Sequence, residues 1–306
     1  MLTLLLVGLA GFLAQLVSGT LGMGYGMTAT TALVVFGTAP AIASASAHFA
    51  QVGTSLASGV SHWRFRNVDW RAVGILAGPG SVGAVIGAVL LVSFSADFAT
   101  AWMSVILFAL GVYVLVRFAF LRVGKLITEK RPGVRFLAPL GLVAGFVDAT
   151  GGGGWGPVAT TTLLSSGRLE PRKVVGSVQM AEFAVTVSAS LAFLAALSLH
   201  GMDFAVVAAL LIGGVLAAPI GAVLTRRMPP RLLGTAAGGL IVLTNGWQLL
   251  GALGAAPVVI ALVYVALTAF LVTALLAALR SMREERRINA LLVEDGVNAA
   301  AERARR

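Results

Sequence analysis

Three ionisable side chains stand deep in apolar sequence. Asp148 closes one hydrophobic run, Glu182 sits inside another, and His48 lies within a third. A carboxylate carried into a bilayer costs roughly 2.5 to 3.5 kcal/mol on insertion scales, so an acid kept there is a functional candidate by default. Asp148 and Glu182 form a candidate proton-carrying pair. The alternative duty of Asp148 is to cap a broken helix at Gly151. His48 and Gln51 occupy the positions that Gln179 and Glu182 occupy in a second, similar stretch, and His48 suits either anion binding or proton transfer. The three histidines, His48, His62 and His200, are spaced neither as a metal cluster nor beside a nucleophile. This sets an intramembrane enzyme and a metal site aside.

The second source of chemistry is a duplicated glycine-rich block. The stretch from Ser18 to Leu33 lies over the stretch from Asp148 to Leu163 at an offset of 130, with eight of sixteen positions identical. Glycines leave amide N–H groups unshielded and permit φ > 0, so a helix restarting near Gly156 and Pro157 aims its positive end and free donors at an anion. Gly24 and Gly26 in the first copy, and Gly153, Gly154 and Gly156 in the second, are the candidate backbone contacts. Tyr25 and Trp155 are equivalent aromatics between glycines, able to wall a small site and donate one hydrogen bond. Thr30, Thr150 and Thr160 supply neutral donors, although threonines in lipid also bond their own helix carbonyls. With His48, Gln51 and Gln179 these residues complete the expected substrate site. By contrast, the glycines at 74, 78, 83 and 87 sit in an uninterrupted apolar run and are expected to serve helix packing.

Such groups must be positioned by membrane helices. A chain with 58% hydrophobic and 11% charged residues and a mean hydropathy of +0.95 carries more apolar surface than a soluble domain can bury. The formal charge of +10 comes from short basic clusters between apolar runs, which explains it by anchoring rather than by nucleic acid. Absence of cysteine removes disulfides and thiolate chemistry. Met1 to Val17 lack a positive n-region and are expected to persist as the first segment. Basic residues at Arg64, Arg66 and Arg71, from Arg122 to Arg135, from Arg168 to Lys173, from Arg226 to Arg231 and after Arg280 mark cytoplasmic segments; the intervening connections carry none and fall outside. The repeat extends further: Ser44 to Gln51 matches Val175 to Glu182, Asp69-Trp70 matches Asp203-Phe204, and Ile86 to Leu90 matches Ile220 to Leu224. One copy's inner loop matches the other's outer loop, which is the pattern of inverted-topology repeats. The expected fold is an all-α polytopic bundle of two such repeats, with Gly-broken hairpins at the midplane and one extra C-terminal helix. Its segments are residues 1–121 and 136–253 for the repeats, 122–135 for a basic cytoplasmic loop, 254–280 for the extra helix and 281–306 for a cytoplasmic tail.

The duplicated blocks, the Ser/Ala-rich helix after each, the basic central loop and this layout resemble the sulfite exporter TauE/SafE family, from about Val7 to Leu253. Thr150 to Pro157 is the most specific part; Leu21 and Met23 stand where the second copy has Gly151 and Gly153. The resemblance implies a secondary transporter, an exporter of sulfite, a sulfonate or a related organosulfur anion by alternating access. Asp148 and Glu182 would couple export to proton entry. A passive anion channel is the alternative. No Walker motif is present, no cofactor is expected, and the expected partners are the anion, membrane lipid and, as a permitted assembly, a homodimer. The expected location is the cytoplasmic (inner) membrane of a prokaryote, N-terminus outside and C-terminus cytoplasmic.

Overall fold

Helices account for nearly all of the computed structural model, which describes residues 2–21, 23–120, 131–197, 202–227 and 230–280. The central basic residues Arg122, Lys125 and Lys130, His200, and the tail from Ser281 lie outside them. The order is α1 (Leu2–Leu21), α2 (Tyr25–Val35), α3 (Pro40–Arg64), α4 (Trp70–Ser93), α5 (Ala96–Ala119), α6 (Val134–Gly151), a π-helical turn (Gly156–Thr160) running into α7 (Thr161–Ser166), α8 (Pro171–Leu197), α9 (Phe204–Arg227) and α10 (Pro230–Ala252). A last helix, α11, covers Pro257–Arg280. No strand occurs among the described residues.

Local sequence explains the boundaries. Asp69 accepts from the N–H of Ala72 (3.0 Å) at the start of α4, and its repeat counterpart Asp203 accepts from Ala205 (2.9 Å) at the start of α9. Pro40 opens α3, where a missing N–H costs nothing. Helices α1 and α6 run past the apolar stretches that suggest them, to 20 and 18 residues. Serine, threonine and a single glycine do not stop a helix: α6 ends only where the backbone turns left-handed at Gly152 (φ 70°), and a left-handed Gly24 (φ 100°) precedes α2. The first arm of each hairpin is therefore a full helix, and only the second arm is short. Among the described residues, α4, α5, α6, α11 and the Arg172–Leu197 part of α8 are long and apolar enough to cross a membrane. Helix α3 is 25 residues long but less apolar, because one face carries Ser44, His48, Gln51 and Ser55.

The packing is reciprocal between the two halves. Helix α4 lies against α6 and α8, α1 against α9, α3 against α8 and α9, and α5 against α10. A Cβ placed on Gly141 of α6 would fall 2.5 Å from the carbonyl O of Leu76, and one on Gly11 of α1 would fall 2.4 Å from that of Leu210. The two glycines are repeat equivalents, and so are the two leucines. In lipid, where burial of apolar surface drives little, this backbone proximity is the source of helix association. A Cβ on Gly83 or Gly87 would run into the α6 backbone at Leu142 O or Phe146 O, but Gly74 and Gly78 have open space around them and pack on nothing. Helix α11 rests on α5 and α10 through Ala274, Leu115 and Val242, with Tyr264 donating to Leu243 O (2.6 Å), and is otherwise exposed.

Equivalent glycines also receive the two hairpin aromatics, unequally. A Cβ at Gly80 would meet Trp155 carbons at 2.8 and 2.9 Å and Val185 at 2.9 Å, whereas one at Gly214 would meet Tyr25 at 3.5 Å. Gly80→Ala is expected to destabilise the protein by about 1–3 kcal/mol through overpacking, and Gly214→Ala to be close to neutral. Thermal unfolding in detergent checks the contrast; equal midpoints for the two variants would contradict it.

Candidate functional site

The two glycine-rich turns touch. A Cβ on Gly26 would lie 2.8 Å from the Cα of Gly153 and 3.1 Å from the carbonyl O of Gly152. Thr30 Oγ1 donates to that same carbonyl (2.5 Å), tying α2 to the turn after α6. The turn itself needs glycine, with φ of 70° at Gly152 and 149° at Gly153.

Asp148 organises the second turn. Its Oδ1 accepts from the N–H groups of Gly154 (2.7 Å) and Trp155 (2.9 Å), and its Oδ2 lies 3.2 Å from His48 Nε2. The capping duty weighed for Asp148 is thus present, and it changes the expected use of the turn. The donors of Gly154 and Trp155 are engaged by the chain's own carboxylate. His48 Nδ1 lies 2.8 Å from Ser44 O, an acceptor only, so Nδ1 carries a proton. One further proton must then lie between Nε2 and Oδ2, whichever atom holds it. The pair is electrically neutral as a unit, and Ser44 Oγ fixes α3 to α6 by donating to Ala149 O (2.8 Å).

Glu182 is placed differently. Gln51 Nε2 donates to its Oε1 (2.5 Å), while Gln51 Oε1 finds no partner among the described residues and faces Gly26, 3.4 Å from where a Cβ there would stand. Gln51 and Glu182 are repeat counterparts, as are Ser55 and Thr186, whose hydroxyls meet at 3.4 Å. Through these two pairs α3 and α8 pack directly against each other. Gln179 is buried one turn before Glu182.

The remaining expected site residues fall into place with less freedom than foreseen. Tyr25 Oη donates to Leu210 O (3.4 Å) and Trp155 Nε1 to Val178 O (3.0 Å), so both rings act as walls with their donors committed. Thr150 Oγ1 donates to Phe146 O (2.7 Å) in its own helix, and Thr161 Oγ1 does the same to Pro157 O. Thr160 is different: its buried hydroxyl has no partner among the described residues, and it ends the π turn that starts at Gly156. Such turns leave the helical ladder incomplete. Gly24 supplies the left-handed residue that starts α2. Ser44, Ser55 and Thr186 also belong to this polar centre, while Asn245 of α10 donates to Thr31 Oγ1 (3.0 Å) of α2. Of these, Ser44 and Ser55 were detectable as the His48 and Gln51 face of α3 at helical spacing. A cavity of about 460 Å³ between α1, α2 and α10 is lined mainly by apolar groups such as Leu9, Leu13, Ala237 and Leu240, with Thr28, Thr31 and Thr244 among them and no charged side chain.

Residues 7–247 match the sulfite exporter TauE/SafE family. The chain is also 46% identical over 277 residues to a protein named "Probable membrane transporter protein YtnM" from Bacillus subtilis (strain 168), an alignment covering 90% of this chain and 92% of that one. No solved structure matches. Helix α11 lies beyond the family match, as an addition to the repeated core. Apolar helices of membrane-spanning length, a buried polar centre between two glycine turns and these two similarities agree: the chain is an integral membrane transporter and belongs to the sulfite exporter TauE/SafE family.

Proposed function

We propose that the chain exports a small sulfur-containing oxyanion, such as sulfite or a sulfonate, by alternating access, with the movement of the anion coupled to that of a proton. We place the substrate site among the Gly26 and Gly153 turns, Gln51, Glu182, Thr160 and the rings of Tyr25 and Trp155, which must part to admit the anion. One observation carries this reading: two broken hairpins meet backbone to backbone at a buried centre that holds Gln51 Oε1 and Thr160 Oγ1 without partners. Polar atoms buried unpaired are costly, and a site that binds a polar solute is a reason to keep them. The repeats have opposite orientation, so rocking one against the other exposes the centre to each side in turn.

Flux from proteoliposomes tests the reading. Radiolabelled sulfite or alkylsulfonate efflux is expected to saturate and to show counterflow against unlabelled anion. Linear flux without counterflow would favour the passive channel. Orientation is checked separately, since the native chain has no cysteine. Cysteines at Phe65 and Asp97, on either end of α4, are expected to be labelled from the cytoplasmic and external sides respectively. Labelling of both from one side would remove the inverted arrangement.

A further inference from the structure

Resting on that reading, we infer that Glu182 and Gln51 form a proton-operated switch that makes the anion and one proton bind together, so that the two move in the same direction. The geometry divides the two buried acids. Asp148 is satisfied: two backbone N–H groups hold one oxygen, and His48 balances its charge. Glu182 has a single, neutral partner, the amide of Gln51. The other titratable groups facing this centre are His48 and Asp148 from α3 and α6, bound to each other, and Tyr25 from α2, bound to Leu210 O. Helix α4 brings none into its packed span, and the described cation with low exposure, Arg117, lies in the last turn of α5. Among the described residues, nothing at the centre compensates both a Glu182 carboxylate and an incoming anion.

The amide of Gln51 reads the state of Glu182. With Glu182 ionised, the carboxylate can only accept, so Gln51 must present Nε2 to it, as observed, and turn its carbonyl oxygen toward Gly26. That oxygen repels an oxyanion. A proton on Glu182 converts it to an O–H donor that bonds Gln51 Oε1. The amide then rotates by half a turn and presents its two N–H donors to the Gly26 side. No covalent bond changes except the O–H formed on Glu182, and the proton comes from water on whichever side the centre faces. Protonation thus removes a negative charge and supplies two donors, both favouring the anion. By linkage, anion binding draws the proton onto Glu182 to the same extent.

The sign is opposite to the exchange of anion for proton that sequence reading suggests. A permanently monovalent sulfonate carried with one proton moves no net charge, and its flux is indifferent to membrane potential. A divalent sulfite carried with one proton moves one negative charge, and an inside-negative potential drives it outward by about 2.3 kcal/mol per 100 mV.

The test is a binding titration of the purified full chain with methanesulfonate, which stays monovalent, and with sulfite, between about pH 5.5 and 8.5. Affinity for methanesulfonate is expected to fall up to tenfold per pH unit once Glu182 is ionised, because only the protonated fraction binds. Glu182→Gln is expected to bind at every pH as tightly as the parent does at its acid limit, and Asp148→Asn to keep the pH dependence. Gln51→Leu, which retains the acid but lacks the donors, is expected to lose tenfold or more at acid pH. Binding without pH dependence in the parent, or with the dependence moved to Asp148, overturns the switch and leaves the anion site standing. No binding of either anion at any pH overturns both.

Discussion

Asp148→Ala is expected to cost about 3–5 kcal/mol of stability, the largest effect of any single side-chain truncation in the polar centre. Three losses coincide. The N–H groups of Gly154 and Trp155 lose the oxygen that accepts them at 2.7 and 2.9 Å and are left buried without a partner. His48, fully buried, loses the partner that balances its second proton. The turn that follows, with its left-handed glycines, loses the anchor that holds it against α6. Asp148→Asn is expected to be much milder, since its amide oxygen still caps the turn and His48 can remain neutral. The double variant His48→Gln with Asp148→Asn should recover most of what His48→Gln alone loses, giving a coupling energy of about 1–3 kcal/mol. Thermal or denaturant unfolding in one detergent measures all four corners of this cycle. Additive costs would mean that the 3.2 Å contact contributes nothing and that Asp148 acts only as a cap.

Much of this architecture is legible in residue order, and the reason is duplication. Gly24, Gly26, Gly153 and Gly156 stand in matched blocks, and the repeat also pairs Gly11 with Gly141 at an offset of 130 and Asp69 with Asp203 at an offset of 134, each of which performs the same job in its half. What duplication cannot show is which residues of opposite halves meet. Asp148 aligns with Ser18, so nothing in the pattern points to its real partner, His48, 100 residues away. The Gln51–Glu182 contact was nearer to hand, because the two align; alignment becomes contact only where α3 and α8 pack together, and a linear sequence does not say where helices meet. Donor commitment was hidden for a related reason. The indole N–H of Trp155 and the phenol of Tyr25 reach carbonyls on neighbouring helices, and residue order does not say which helices become neighbours. Helix length was understated for a local one: Asp148, Thr150 and Gly151 end an apolar run but satisfy helix geometry, and only Gly152 breaks it.

Gly153→Ala is expected to abolish transport by separating the two hairpins, and this effect separates backbone contact from side-chain chemistry at the site. The new Cβ would stand 2.0 Å from the N of Met27 and 2.4 Å from the C of Gly26, both backbone atoms that no rotamer change can move. A φ of 149° adds a strain of order 1–3 kcal/mol for any residue with a side chain. Gly26→Ala attacks the same contact from the other side at normal φ, where its Cβ would meet the Cα of Gly153 at 2.8 Å. It should therefore reproduce the transport loss with a smaller loss of stability. Gly154→Ala is the control: its closest neighbour is Cγ1 of Val147 at 2.7 Å, a side-chain atom that can shift, and its φ lies outside the left-handed region. Most of its activity should remain. The three variants are to be compared for yield of monodisperse protein, unfolding midpoint and initial rate of anion efflux at equal incorporation. If Gly26→Ala folds and transports like the parent, close approach of the turns is not needed for function, and the substrate path must run along α3 and α8 alone. If Gly154→Ala fails as badly as Gly153→Ala while both fold, the close packing of the Gly154 turn on Val147 matters to transport as much as the contact between hairpins.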